Sequence, residues 1–388
     1  MPTFDTIVLG LGAMGSSAAL TCVQRGQTVL GLEQFPLVHN QGSSHGHSRI
    51  IREVYYEHPA YVPLVQEAFQ RWNDLESQTG QSLLTRCACA NIGLPESEII
   101  QGVQRAAGEH RLSIETWDAR AIREYIPAIT VPEGYIAVVE ANAGWLRVEE
   151  CIRSMLRLAT KLGANLHQQE RVTSWKCTPH HVEVVTDKDS YQAENLIITA
   201  GPWAGQLLTD LGLPLRMMRQ QQLWFAPPEP LVSHFAAPQL PIFMIDTPDG
   251  HFYGIPSQAG PGVKIAQHYG APEQLSPDGI NRLFSDQDLV PIRQFLHNHL
   301  PSLGSATLVS SAVCIYTLSA DRHFIIDRHP NHERVALATG FSGHGFKFAP
   351  VIGEMLADLL ENKVRKDTQS LFAINRFGTV AELAKSSG

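Results

Sequence analysis

Residues 6–9 form a short apolar run headed by Asp5, glycines follow, and residues 13–25 are rich in alanine and other apolar side chains. Residues 27–32 return to β-type sequence and stop at Glu33. The pattern predicts strand, glycine turn, helix and strand, a βαβ unit whose helix is closed by Gly26 where a left-handed cap is wanted. Further on, Tyr61, Val65, Phe69, Trp72 and Leu75 recur at helical spacing and predict a long amphipathic helix over 59–79. A second helix is expected over 148–162, ended by Gly163. Residues 171–200 alternate as strands do and finish in an apolar strand before Gly201, and 203–211 reads as helix. Proline and strand-like pieces dominate 83–145 and 215–310, with a hairpin over 251–270 turning at Gly260-Pro261-Gly262. The end of the chain repeats the opening grammar: a strand over 332–339, a turn with Gly340, Gly343 and Gly345, and a helix over 348–361.

This order predicts an α/β fold. A Rossmann-like nucleotide-binding domain is assembled from 1–82, 146–214 and 311–388, and a β-rich second domain is inserted as 83–145 and 215–310. Composition narrows the class of protein. With 44% hydrophobic and 18% charged residues over 388 positions, the chain has ample core and too little charge for disorder. Lys and Arg number 30 against 38 Asp and Glu, a net charge of −8, and the basic residues form no run, which argues against nucleic acid and anionic membrane as partners. The six cysteines (Cys22, Cys87, Cys89, Cys151, Cys177, Cys314) include no CxxC pair, so reduced thiols in a cytoplasmic protein are expected. The first cation is Arg25, and no stretch of 18 uninterrupted apolar residues occurs, so neither a signal peptide nor a membrane span is expected.

Gly10-x-Gly12-x-x-Gly15 lies between the first strand and helix, with Glu33 at the end of the next strand. The first glycine makes the turn, the second admits a pyrophosphate to the backbone, and the third lets helix pack on strand; the helix amino terminus offers free amides. Glu33 is placed to accept from a ribose diol. FAD and NAD share this fingerprint. The late turn Gly340-Phe341-Ser342-Gly343-His344-Gly345, feeding another helix, tilts the choice towards flavin, because a helix amino terminus stabilises charge that develops on the reduced ring.

GSSHGHSRIIR at 42–52, SAVCIYT at 311–317, HFIID at 323–327 and GFSGHGFKFAP at 340–350 resemble the monomeric sarcosine oxidase family, which includes N-methyltryptophan oxidase. The resemblance runs to about Phe377. It implies an FAD-binding Rossmann-like domain with an inserted β-rich substrate domain. It also implies a monomeric, FAD-dependent oxidase of secondary amino acids, sarcosine, N-methyl or cyclic, which forms an imine and reduces O2 to H2O2. Cys314 aligns with the cysteine that tethers the flavin. Arg52 aligns with the arginine that binds the substrate carboxylate, Lys347 stands to hold it from the other side, Tyr253 and His268 align with a tyrosine and a histidine of the substrate pocket, and Met244 is expected to line it. Arg49 aligns beside the flavin ring, and Lys264 with the lysine that promotes the oxygen reaction, making Lys264, Arg49 and His268 the expected catalytic set. The expected cofactor-binding set is Gly10, Leu11, Gly12, Ala13, Met14, Gly15, Glu33, Ser44, His45, Ser48, Arg49, Val172, Gly201, Trp203, Gly343, His344, Gly345 and Lys347. In strand geometry Lys264, Ala266 and His268 share a face, so Lys264 and His268 are expected to address one cavity. His47 stands where the family commonly carries an acid. No metal is expected, since His45-x-His47 has no third ligand at useful spacing. A flavin dehydrogenase with another electron acceptor, or a non-catalytic dinucleotide-binding redox sensor, are the alternatives.

Overall fold

The protein is described here by a computed structural model, which covers residues 3–363 and 369–378. Residues 364–368 and 379–388 of the expected third segment lie outside the described residues. The first strand, Thr3–Leu9, is followed by the helix Ala13–Gln24 and the strand Val29–Leu32. Gly26 adopts φ +83°, the left-handed conformation its position predicts.

From Thr6 to Leu9 the first strand is buried on both faces, as a central parallel strand must be. Ile7 and Leu9 join one core cluster, and Val8 joins another on the opposite side. Its parallel neighbours are Val29–Leu32 on one side and Ser190–Ile198 on the other, followed by His332–Thr339. This eight-stranded sheet therefore draws strands from the start, the middle and the end of the chain. The helices Ala13–Gln24, Val148–Lys161 and Ala349–Leu360 pack on one face. Gly353 makes that packing close, since a Cβ there would meet Ser17 Oγ at 2.3 Å.

A nine-stranded sheet is built mainly from 89–140 and 216–318, with its own apolar core around Phe225, Phe243, Phe252 and Phe295. Arg216–Phe225 and Leu308–Leu318 pair along their whole length. The boundary expected between 310 and 311 thus falls inside a strand, because the long antiparallel pairing carries the chain through it. A three-stranded sheet joins Ser48–Arg52 to Ala143–Arg147 and to Leu84–Arg86. It crosses the boundaries expected at 82 and 145. The helix expected over 203–211 is instead three short pieces, Gly201–Trp203, Ala204–Leu207 and Thr209–Leu211, between Pro202 and Gly212. The helix expected from residue 348 starts at Ala349 after a 3-10 turn, Phe346–Phe348. Among the described residues no helix is long and apolar enough to cross a membrane.

Candidate active site

A cleft of about 1580 Å³ of empty volume runs along the carboxyl ends of the parallel strands. Gly10, Leu11, Gly12, Ala13, Met14, Glu33, Ser44, Arg49, Val172, Gly201, Trp203, Gly343 and Gly345 line it, as does Cys314. Gly10 has φ +83°. The three fingerprint glycines serve different neighbours. A Cβ on Gly15 would meet Gly10 O at 1.8 Å and Thr199 Oγ1 at 2.6 Å, so Gly15 is dictated by packing and does not line the cleft. A Cβ on Gly12 would meet only Ser44 Oγ, at 3.5 Å. The protein leaves that space free, which is what close approach of a pyrophosphate requires. The helix starting at Ala13 has no side-chain cap and no acid in its first turn; only the Ala13 amide is taken, by Ser44 Oγ at 3.2 Å. Glu33 accepts from the amides of Leu11 (2.9 Å) and Phe35 (3.0 Å), which aims its carboxylate along the cleft wall.

These features fit a dinucleotide and yield a paired prediction. Gly12→Ala is expected to leave thermal stability unchanged while losing bound FAD. Gly15→Ala is expected to cost about 2–3 kcal/mol by overpacking against fixed main chain. Melting temperature and flavin-to-protein absorbance ratio check both.

A second cavity, of about 700 Å³, meets the cleft and shares Arg49, Cys314, Tyr316, Gly343 and Phe346 with it. Arg52, Lys347, Met244, Tyr253, His268 and Ser48 complete much of its wall. Ser48, His344 and Lys347, expected against the cofactor, line this cavity and not the cleft. His45 lines neither; its Nε2 is buried without a partner, and burial followed by Arg49 pushes its pKa down to about 4. Lys264 also lines neither, so of the shared strand face only His268 opens on the cavity. Lys264 Nζ instead donates to Gly46 O (3.1 Å) and Ser48 O (2.9 Å) and sits 5.2 Å from the Trp224 ring centroid.

Arg49 is held by four acceptors: Ser48 O (2.9 Å), Gln222 Oε1 (3.1 Å), Ser43 O (2.9 Å) and Cys314 Sγ (3.5 Å). Arg52 makes a forked pair with Glu57 (2.9 and 2.7 Å), donates to Val54 O at 2.6 Å, and lies against the rings of Tyr55 and Tyr56. Burial works against the Glu57 charge, yet Arg52 overrides it and holds the carboxyl at about 2. Lys347 donates to His344 O (2.7 Å) and Tyr55 Oη (3.2 Å), and burial followed by Arg52 pushes it down to about 7. His268 shares a proton with Tyr316 Oη at 3.1 Å; burial pushes its pKa down to about 3, so the imidazole is neutral near pH 7. Burial raises Tyr253 to about 12.

Sequence reasoning missed Glu57, Tyr316, Gln220 and Gln222. Tyr316 lies two residues beyond Cys314 on one strand, so period two would have found it. Glu57 reaches Arg52 through an irregular turn that no periodicity describes. Away from both cavities, Asp210, His329 and His332 bring ligand-type atoms within 4.8 Å of one another. His329 Nδ1 accepts from the Asn331 amide at 3.3 Å, which leaves the ring proton on Nε2, 3.0 Å from Asp210 Oδ2. His329 is thus a neutral imidazole beside the Asp210 carboxylate, and burial holds its pKa below the ordinary histidine value.

A cleft fitted to a dinucleotide that opens into a cation-lined cavity agrees with the comparisons. The model of the FAD dependent oxidoreductase family matches residues 5–359. The chain belongs to that family. Within it, the chain is 41% identical over 362 residues to a monomeric sarcosine oxidase of Streptomyces avermitilis, covering 92% of this chain and 94% of the relative. It is 35% identical over 380 residues to an N-methyl-L-tryptophan oxidase of Yersinia pestis, covering 96% and 99%. NikD, an unusual amino acid oxidase essential for nikkomycin biosynthesis, shares the fold with a TM-score of 0.83 at 22% identity, covering 96% of this chain and 98% of that one. Membership makes FAD the cofactor and oxidoreduction the class of chemistry.

Proposed function

We propose that this FAD-dependent oxidoreductase oxidises secondary amino acids such as sarcosine, N-methyl or cyclic ones at the C–N bond, with O2 as electron acceptor. The observation that carries this reading is the cavity joined to the cleft at Cys314 and walled by Arg52 and Lys347. Relatives with 35–41% identity are named for sarcosine and N-methyl-L-tryptophan oxidation.

The amino acid loses a hydride from carbon and a proton from nitrogen to give an imine, which water hydrolyses; O2 gains the two electrons and two protons to become H2O2. The flavin, when bound, supplies the two-electron relay between them. The residues do the rest. Arg52 and Lys347 fix the carboxylate, Arg52 through the guanidinium hydrogens that Glu57 and Val54 O leave free. Their charge, with Arg49 nearby, disfavours an ammonium beside them, so the amine is held neutral and no dedicated strong base is needed. Neutral His268, Tyr253 and Met244 shape the amine end and exclude water. Gly10, Gly12 and Glu33 would hold the dinucleotide, Cys314 would tether it covalently, Arg49 would offer its charge where the cleft meets the cavity, and Lys264 would offer a fixed cation to oxygen as it is reduced. Six free cysteines support a reducing, cytoplasmic setting, and a monomer completes the reading.

A peroxide-coupled screen of sarcosine, N-methyl amino acids, pipecolate, proline and fructosyl amino acids tests it. A secondary amino acid should bleach the flavin anaerobically and yield peroxide in air. Bleaching without peroxide, but with turnover on an artificial acceptor, would make the protein a dehydrogenase. No bleaching by any secondary amino acid would sink the reading.

A further inference from the structure

Glu140 is a buried carboxylate that the proposed chemistry does not use. It ends the strand Ile136–Glu140, opposite Cys89 on the neighbouring strand, and is 2% exposed. Its Oε2 accepts from two successive amides, Glu53 (2.7 Å) and Val54 (3.0 Å), while Oε1 has no partner. Those amides begin the turn 53–57, and every group that holds the Arg52 head belongs to it. Val54 O accepts from Nη1, the Tyr55 and Tyr56 rings flank the guanidinium, and Glu57 closes the fork.

Val54, Tyr55 and Tyr56 anchor the turn in the core, with Tyr55 Oη bonded to His344, while Glu140 holds its first two amides. Glu53 is tied outward by Gln66 (2.5 Å) and Asn142 (2.7 Å), both at exposed positions. A single buried oxygen gripping two main-chain donors is the kind of contact whose loss leaves both amides unsatisfied. The charged and titratable groups facing Glu140 are Arg52, Glu53 and Cys89. Burial, opposed by the Val54 amide and Arg52, pushes its carboxyl up to about 7. Near neutral pH it is therefore present in both forms, and Oε2 remains an acceptor in each. What matters is the acceptor more than the charge.

We infer that Glu140 is a positioning residue for substrate recognition: by fixing the Glu53–Val54 amides it sets the turn that presents Arg52 to the substrate carboxylate. The inference rests on the reading of Arg52 as the carboxylate anchor. Glu140→Gln keeps an oxygen acceptor of the same reach, whereas Glu140→Leu keeps the volume and removes the acceptor. With flavin content as a check of folding, E140L is expected to raise KM for sarcosine about tenfold or more with kcat changed less than about threefold. E140Q should restore KM to within about threefold of the parent. Hydrogen exchange adds a direct readout: the Glu53 and Val54 amides should be protected in the parent holoenzyme, exposed in E140L and protected again in E140Q.

Unprotected amides in the parent, equal KM increases in E140Q and E140L, or a loss confined to kcat would each overturn the inference. Arg52→Gln separates it from the reading beneath. If R52Q leaves KM unchanged, Arg52 is not the anchor and the reading fails. If R52Q raises KM while E140L does not, the reading stands and the inference fails.

Discussion

Lys264→Met is expected to slow reoxidation of the reduced enzyme by about 10²-fold or more, while anaerobic flavin reduction by substrate changes little. The first electron passed to oxygen makes an anion, and a fixed cation nearby stabilises it at no cost in reorganisation. Lys264 is 1% exposed and held at both neighbours of His47, through Gly46 O and Ser48 O, with the Trp224 ring beside it. Burial, then Arg49, holds its pKa well below the ordinary lysine range. Two carbonyl acceptors and an aromatic face pull the other way, and this geometry favours the ammonium. The charged form exists below the Lys264 pKa, so reoxidation in the parent should fall as pH rises through that pKa, and K264M should lack this limb. Methionine fills the site without a desolvated charge, so melting temperature should stay equal or rise. Stopped-flow measurement of both half-reactions checks this; equal slowing of the two would refute the role.

Cys314→Ser is expected to abolish acid-stable flavin altogether. Cys314 is 2% exposed, yet it is one of few residues lining both the cofactor cleft and the second cavity. Its Sγ receives an Arg49 donor at 3.5 Å and faces Ser43 O at 3.6 Å, so the sulfur is oriented in place. The other fully buried thiols lack that setting: Cys22, Cys89 and Cys151 line neither cavity. A serine hydroxyl is a far poorer nucleophile than a thiol and leaves FAD held only by non-covalent contacts. Parent protein precipitated with trichloroacetic acid should keep its yellow colour in the pellet, and C314S should release it to the supernatant. Colour retained by the C314S pellet would remove Cys314 as the tether.

Much of the cofactor cleft was legible because its parts are local. Gly10, Gly12, Gly15 and Glu33 lie within one βαβ unit, where strand and helix periods are read directly and turn chemistry needs only neighbours. The second cavity was legible only residue by residue, through resemblance. Its walls come from Arg52, Tyr253, His268 and Lys347, on separate segments joined by sheet pairings of high sequence separation. The different placements of His344 and Lys347 have one cause. A residue's distance from a motif along the chain does not say which of two adjoining cavities its side chain enters.

The sequence by itself determined the alternation of strand and helix, the glycine turn with its acid, and the presence of one cysteine and several cations at family positions. The first two follow from backbone conformational preference and from hydrophobic period, both of which act over a few residues, and the last from the family resemblance. Tertiary structure alone decided the rest. It set Arg52 against Glu57, placed Arg49 between Gln222 and Cys314, buried Lys264 beneath Gly46 and Ser48, and brought Glu140 under the turn that holds Arg52. Each of those contacts exchanges hydration of a charge for a protein partner, across an irregular turn for Arg52 and Glu57 and far away in sequence for the others. Their energies depend on burial and distance in three dimensions, which no local pattern encodes.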